Sequence, residues 1–71
     1  MTANIEFTVL DRDSYATATN RTAKAAICAV YGRRATWSIG KNLGINLWEA
    51  SVESRITGRQ IGRCTIKKVY A

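Results

Sequence analysis

The run spanning residues 14–31, SYATATNRTAKAAICAVY, constrains the rest of the chain more than any other stretch. It contains six alanines and neither Pro nor Gly, and alanine is the best helix former. Wound at about 100° per residue, it puts Ala16, Thr19, Ala23, Ala26, Ile27 and Val30 on one side, the spacing of a buried helical stripe. The stripe is made mostly of small side chains, so its partner must approach the helix backbone closely. A sheet bearing the larger residues is the natural complement. Asp11, Asp13 and Ser14 precede the run and can accept from the free first-turn N–H groups. Gly32 follows it where a left-handed C′ residue is expected, and Arg33 and Arg34 sit where the helix dipole favours positive charge. The pattern predicts one helix over 14–31.

The remainder reads as strands. Ile5, Phe7 and Val9 alternate with Glu6 and Thr8, which predicts a half-buried strand over 4–10. Further strands are predicted over 35–39, 45–56 and 61–70, with turns at 40–44 and 58–60. In the last hairpin, a continuous apolar face pairs Ile56 with Gly62, Ser54 with Cys64, Val52 with Ile66 and Trp48 with Tyr70. That register needs a three-residue loop with a bulge or a five-residue loop. It sets Arg55 beside Arg63 on the opposite face, with Lys67 further along. Ile45 and Leu47 share one parity while Trp48, Ala50 and Val52 share the other. Either a bulge near Leu47 and Trp48 resolves this, or that end of the sheet is apolar on both faces and forms an interface. The expected fold class is α+β: one two-layer domain over 1–71 in the order β-α-β-β-β, its Ala-rich helix packed on a mainly antiparallel four-stranded sheet.

A chain of 71 residues has a small core, burying only about 60% of the surface its unfolded form exposes. A homodimer or a large partner would help it. Eleven Lys and Arg against five Asp and Glu give a net charge of +6, a strong positive field that favours nucleic acid, an anionic membrane surface or an acidic protein. Cys28 and Cys64 are too few for a disulfide scaffold and lack zinc-ligand spacing, so reduced thiols and a cytoplasmic location are expected. Neither a signal peptide nor a long apolar run is present, and no membrane partner is expected.

Nothing in the sequence names a reaction. With no His, the commonest general base is missing. Glu49 and Glu53 would lie about 13–14 Å apart along a strand, too far to act as a pair. Gly40 and Lys41 lack the spacing of a phosphate-binding loop. Asp11 and Asp13 read as capping residues rather than metal ligands. The expectation is a non-enzyme with no cofactor, no catalytic residue and no metal. The basic residues are the strongest functional signal: Arg55, Arg59, Arg63 and Lys67 around the last hairpin, and Arg33, Arg34 and Lys41 around the first turn after the helix. Arginine suits bidentate contacts with phosphate or carboxylate. The alternative is a solvated surface without a dedicated partner. Phe7, Trp37, Trp48 and Tyr70 fall at core-facing parity, which favours packing over base stacking, so backbone-directed, salt-sensitive contact is the expected mode of any nucleic-acid binding.

A small basic chain with a strand, a helix of the form TAKAAICAVYG and a Trp-bearing meander resembles phage-encoded inhibitor proteins of the anti-CRISPR type. The resemblance lies in size, element order and charge. It implies a stoichiometric inhibitor that uses charged side chains to occupy a nucleic-acid site on a protein complex in the host cytoplasm. The other expectation is a protein that binds DNA or RNA directly and with little sequence preference.

Overall fold

The computed structural model describes residues 4–70. Its elements are β1 (Ile5–Asp11), β2 (Thr17–Asn20), α1 (Ala23–Tyr31), β3 (Ala35–Gly44), β4 (Leu47–Ser54) and β5 (Gln60–Tyr70). The strands form one sheet in the order β2-β1-β5-β4-β3, and every neighbouring pair is antiparallel. The sheet therefore has five strands, not the predicted four. α1 carries the chain from the β2 edge to the β3 edge.

The additional strand comes from the first part of the predicted helix. Thr17 and Thr19 are β-branched and two apart, which suits a pleated strand. Thr19 pairs with Thr8, their hydroxyls 3.0 Å apart, and Ala18 pairs with Val9. The acidic and hydroxyl residues read as a helix cap instead close the β1–β2 hairpin. Asp11 Oδ2 accepts from the Ser14 N–H at 2.9 Å and from Ser14 Oγ at 2.7 Å, and Asp11 C=O accepts from the Tyr15 N–H at 3.0 Å. Side chains of these types satisfy loop and helix-start N–H groups by the same bond. The helix begins at Thr22, whose hydroxyl accepts from the Ala25 N–H at 3.1 Å. At its other end Gly32 has φ 102° and donates to the Cys28 carbonyl at 2.8 Å.

The core lies between α1 and one face of the sheet. Val9, Ala26, Ile27, Ala35, Ala50, Val52, Cys64 and Ile66 are buried, with Phe7, Ala23, Val30, Tyr31, Trp37 and Trp48 packed around them. Cys64 is buried, Cys28 is half-buried, and both are free thiols.

The β4–β5 register differs from the predicted one. Val52 lies opposite Gly62, Ala50 opposite Cys64 and Trp48 opposite Ile66, with a bulge between Val52 and Glu53. Ile56 belongs to the connecting loop rather than to a strand. In the preceding hairpin the turn lies at Ile45 and Asn46, the latter at φ 56°, while the predicted turn residues continue β3. Irregularities at Gly40 and Leu43 let β3 follow β4, so the bulges fall on the partner of the strand where one was expected. Ile45, 95% exposed, occupies the hairpin tip.

Candidate anion-binding surface

Register alternation divides the strand residues between two faces. Phe7, Val9, Asp11, Ala50, Val52, Cys64 and Ile66 point toward the helix. Thr8, Leu10, Lys41, Glu49, Ser51, Arg63, Thr65 and Lys67 lie on the other face, where Arg63 is opposite Ser51, Lys67 is between Thr8 and Leu47, and Lys41 is opposite Glu49. Among the described residues, no helix covers that second face.

Two clefts meet at Arg63. One, of about 540 Å³, is lined by Arg12, Asp13, Gln60, Ile61, Gly62 and Arg63. The other, of about 330 Å³, is lined by Gly40, Lys41, Glu49, Ala50, Ser51, Gln60 and Arg63. Sharing Gln60 and Arg63, they form a polar trough with three cationic side chains, Arg12, Lys41 and Arg63, and two acidic ones, Asp13 and Glu49. Arg12 Nη1 bonds Glu49 Oε2 at 3.2 Å, the one ion pair among the described residues. Arg63 and Lys41 thus remain available to an external anion. The backbone beneath Arg63 is fixed from two sides: its carbonyl accepts from the Arg12 N–H at 3.0 Å and lies 3.2 Å from the Tyr31 hydroxyl.

The loop residues 55–59 are held by their own side chains. Ser54 Oγ accepts from the N–H groups of Ile56 and Thr57, each at 3.3 Å, and Thr57 Oγ1 accepts from Arg59 N–H at 3.2 Å. Gly58, at φ 71°, donates to Ser54 C=O at 2.8 Å. The loop is joined to the segment after α1 by a 2.8 Å bond from the Arg55 N–H to the Arg34 carbonyl. Arg33, Arg34, Arg55 and Arg59 are all exposed on these two loops, at the end of the sheet where β4 leaves and β5 begins.

The structure thus splits the predicted basic residues. Arg63 and Lys41 line the trough, while Arg33, Arg34, Arg55 and Arg59 form a separate loop group. Arg55 is not the cross-strand neighbour of Arg63, because the register shift moves Ser51 into that place. Lys67 shares the face of Arg63 but lies four residues along β5, about 13 Å away by strand rise. Lys68 falls on the helix side, opposite Phe7. Arg12 and Gln60 were not singled out by sequence. Arg12 reaches the trough because residues 12–16 form a hairpin turn, a consequence of β2.

Asp11 supports this arrangement from the helix side. It is 7% exposed; its Oδ1 accepts from the Tyr31 hydroxyl at 2.5 Å while Oδ2 takes the two bonds from Ser14. Those bonds, Tyr31 foremost, hold the Asp11 carboxyl below its ordinary value against the opposing effect of burial. Burial and the Asp11 carboxylate raise the Tyr31 phenol. Burial, helped by Asp11, pushes the Cys64 thiol up to about 11.

Among the described residues no group of three His, Cys, Asp or Glu side chains could hold a metal ion, and no helix is long and apolar enough to cross a membrane. Comparison of the chain with protein-family models, with curated proteins and with solved structures finds no match.

Proposed function

We propose that this is a non-catalytic binding protein that engages a nucleic-acid-handling complex through phosphates which that complex exposes. The observation that carries the reading is the trough centred on Arg63, where Arg63 and Lys41 have no carboxylate partner among the described residues while Glu49 is taken by Arg12. Guanidinium and ammonium groups on a rigid antiparallel sheet complement phosphate oxygens, and arginine can bind them bidentately. A net charge of +6 would be repelled by the basic channel with which such a complex holds its own substrate. The physically consistent contact is therefore with the nucleic acid bound there. Arg33, Arg34, Arg55 and Arg59 extend the positive surface beyond the trough and would strengthen the encounter. Inhibition would follow from occupying the strand that the complex must use.

A second reading, direct sequence-tolerant binding to free DNA or RNA, is favoured by the same charges. It is separated from the first by titrating labelled duplex and single-stranded oligonucleotides across a salt series, alongside capture of partners from lysate with and without nuclease treatment. The first reading expects a protein complex to be captured and then lost after nuclease treatment or on Arg63→Ala. Capture that survives both treatments would overturn phosphate contact through the trough. Tight oligonucleotide binding without a captured complex would establish the second reading instead.

A further inference from the structure

The helix-side face carries a second concavity of different chemistry. Phe7, Ala23, Trp37, Ile39, Trp48 and Ile66 line an apolar cleft of about 230 Å³. It exists because α1 has only nine residues and leaves part of the β3–β4 side uncovered. Trp37, Trp48 and Phe7 pack on the core yet remain only half-buried, and Ile39 is 50% exposed at the rim. Drug-sized ligand sites are typically about 300–1,000 Å³; this smaller cleft suits one flat ring. Two lysines neighbour its lining residues, one in strand register and one in sequence. Lys68 lies opposite Phe7 on β5, with Nζ 5.3 Å from the Tyr70 ring centroid. On the helix side, Lys24 follows Ala23 and is exposed. Asn42, opposite Trp48, adds a neutral amide. The acid at helix-side parity among the strand residues is Asp11, buried at the far end of the sheet and bonded to Tyr31 and Ser14.

We propose that this cleft binds a base of single-stranded nucleic acid, stacked against the tryptophans, with the flanking phosphates met by Lys24 and Lys68. An aromatic ring with an anion on either side describes a nucleotide within a strand, whatever its base. An acidic peptide would present the same pattern only where its sequence placed acids on both sides of an aromatic residue. Base stacking on aromatic side chains beside a positive groove is the general means of sequence-tolerant single-strand binding. The bases of an intact duplex are stacked on one another and cannot enter. This site is on the opposite face from the Arg63 trough and stands independently of it.

Trp37 and Trp48 are the only tryptophans, so intrinsic emission reports the cleft directly. Titration with oligo-dT at low salt is expected to quench that emission saturably, while duplex of equal length leaves it unchanged. Ile39→Asp, at an exposed rim position, should weaken the quench-derived affinity on the order of tenfold, with an unchanged far-UV spectrum. Lys68→Glu supplies the same test should the first variant not fold. Arg63→Ala, expected to weaken phosphate contact at the trough, should leave the amplitude of the quench at saturating oligo-dT unchanged, which separates this site from the trough. Absence of quenching by oligo-dT, an equal response to duplex, or undiminished quenching in the folded rim variant would overturn the proposal. So would quenching by an acidic, Phe-bearing peptide that oligo-dT cannot reproduce.

Discussion

Tyr31 lies directly over Gly62: a Cβ added to the glycine would stand 2.8 Å from Tyr31 Cε1 and 3.2 Å from its hydroxyl oxygen. The last residue of the helix thereby meets β5 where a side chain is missing, and the tyrosine reaches across to Asp11 Oδ1. Helix, β1 and β5 are joined at one point, next to the residue that centres the trough.

Replacing Gly62 by Ala should therefore destabilise the protein without any strain of its own backbone. The new methyl group must displace a ring that is held by hydrogen bonds, and overpacking of this kind costs about 1–3 kcal/mol. Chemical denaturation of the variant should show the midpoint fall with an unchanged slope. In the double variant Gly62→Ala/Tyr31→Phe the two effects should be less than additive, because both act on the same ring.

The bond between Tyr31 and Asp11 predicts a pH dependence of known sign. Asp11 titrates below its ordinary value of 3.8 in the folded chain, so the unfolded chain takes up the proton first as the solution is acidified. The stabilisation is complete above the ordinary value and is lost as pH falls through the folded one. Tyr31 titrates above its ordinary 10.0 and Cys64 at about 11, above its ordinary 9.0; their contributions are complete below those ordinary values and are lost as pH rises past them. Thermal melts should thus show a plateau between roughly pH 5 and 8.5 with a decline on each side. Tyr31→Phe should lower the plateau by about 1.5 kcal/mol, the lower part of the range for a bond to a charged group, because Ser14 still holds Asp11. It should also flatten the acidic decline. An unchanged acidic limb would show that another carboxylate governs it.

The burial difference between the two cysteines gives an independent check on the core. Cys64 is wholly buried and its thiol is pushed up to about 11, which leaves little thiolate at neutral pH. Cys28 is half-buried on the helix. A thiol reagent at neutral pH should modify Cys28 first and reach Cys64 only at the rate of opening of the fold. Mass spectrometry of the native protein should accordingly show one rapid addition, and two in denaturant. Equal rates for both would mean that the sheet is open at β5.

The sequence carries the end of the helix more clearly than its beginning. Gly32 adopts a positive φ that few other residues tolerate, so the stop is legible. The start is not, because Asp11 and Ser14 make the same bonds in a hairpin loop as at a helix cap, and Thr17–Asn20 has alternating branched residues within an alanine-rich context. Strand pairing decides there, since β1 offers Val9 and Thr8 as partners. The β4–β5 register is obscured for another reason. Moving Val52 from opposite Ile66 to opposite Gly62 is a slip by an even number of residues, and every side chain keeps its face. Face patterning cannot tell the two apart. The need to seat Tyr31 over Gly62 is a contact between segments far apart in sequence, invisible to local periodicity. The basic residues were legible as a set, but their division into trough and loop group depends on that register and on the β1–β2 hairpin.

The trough predicts a graded response to salt and mutation. Each cation that neutralises a phosphate adds about one to the slope of log affinity against log salt. If Arg63 and Lys41 both contact phosphate, the pair Arg63→Ala/Lys41→Ala should reduce that slope by about two and weaken binding similarly for unrelated sequences. Neither side chain has an ion-pair partner among the described residues, so the pair should fold with little change in stability. Glu49→Gln acts in the opposite direction. It removes the carboxylate that engages Arg12 at 3.2 Å, and because an exposed pair of this kind contributes only about 0–1 kcal/mol, the fold should tolerate the loss. Arg12 then becomes a third free cation in the trough, and affinity for nucleic acid should rise with a slope steeper by about one. Anisotropy titrations of the wild type and these two variants, at several salt concentrations, measure all three slopes. Slopes that coincide would remove the trough from the binding surface and leave the loop arginines Arg33, Arg34, Arg55 and Arg59, or Lys24 and Lys68 beside the apolar cleft, to account for it.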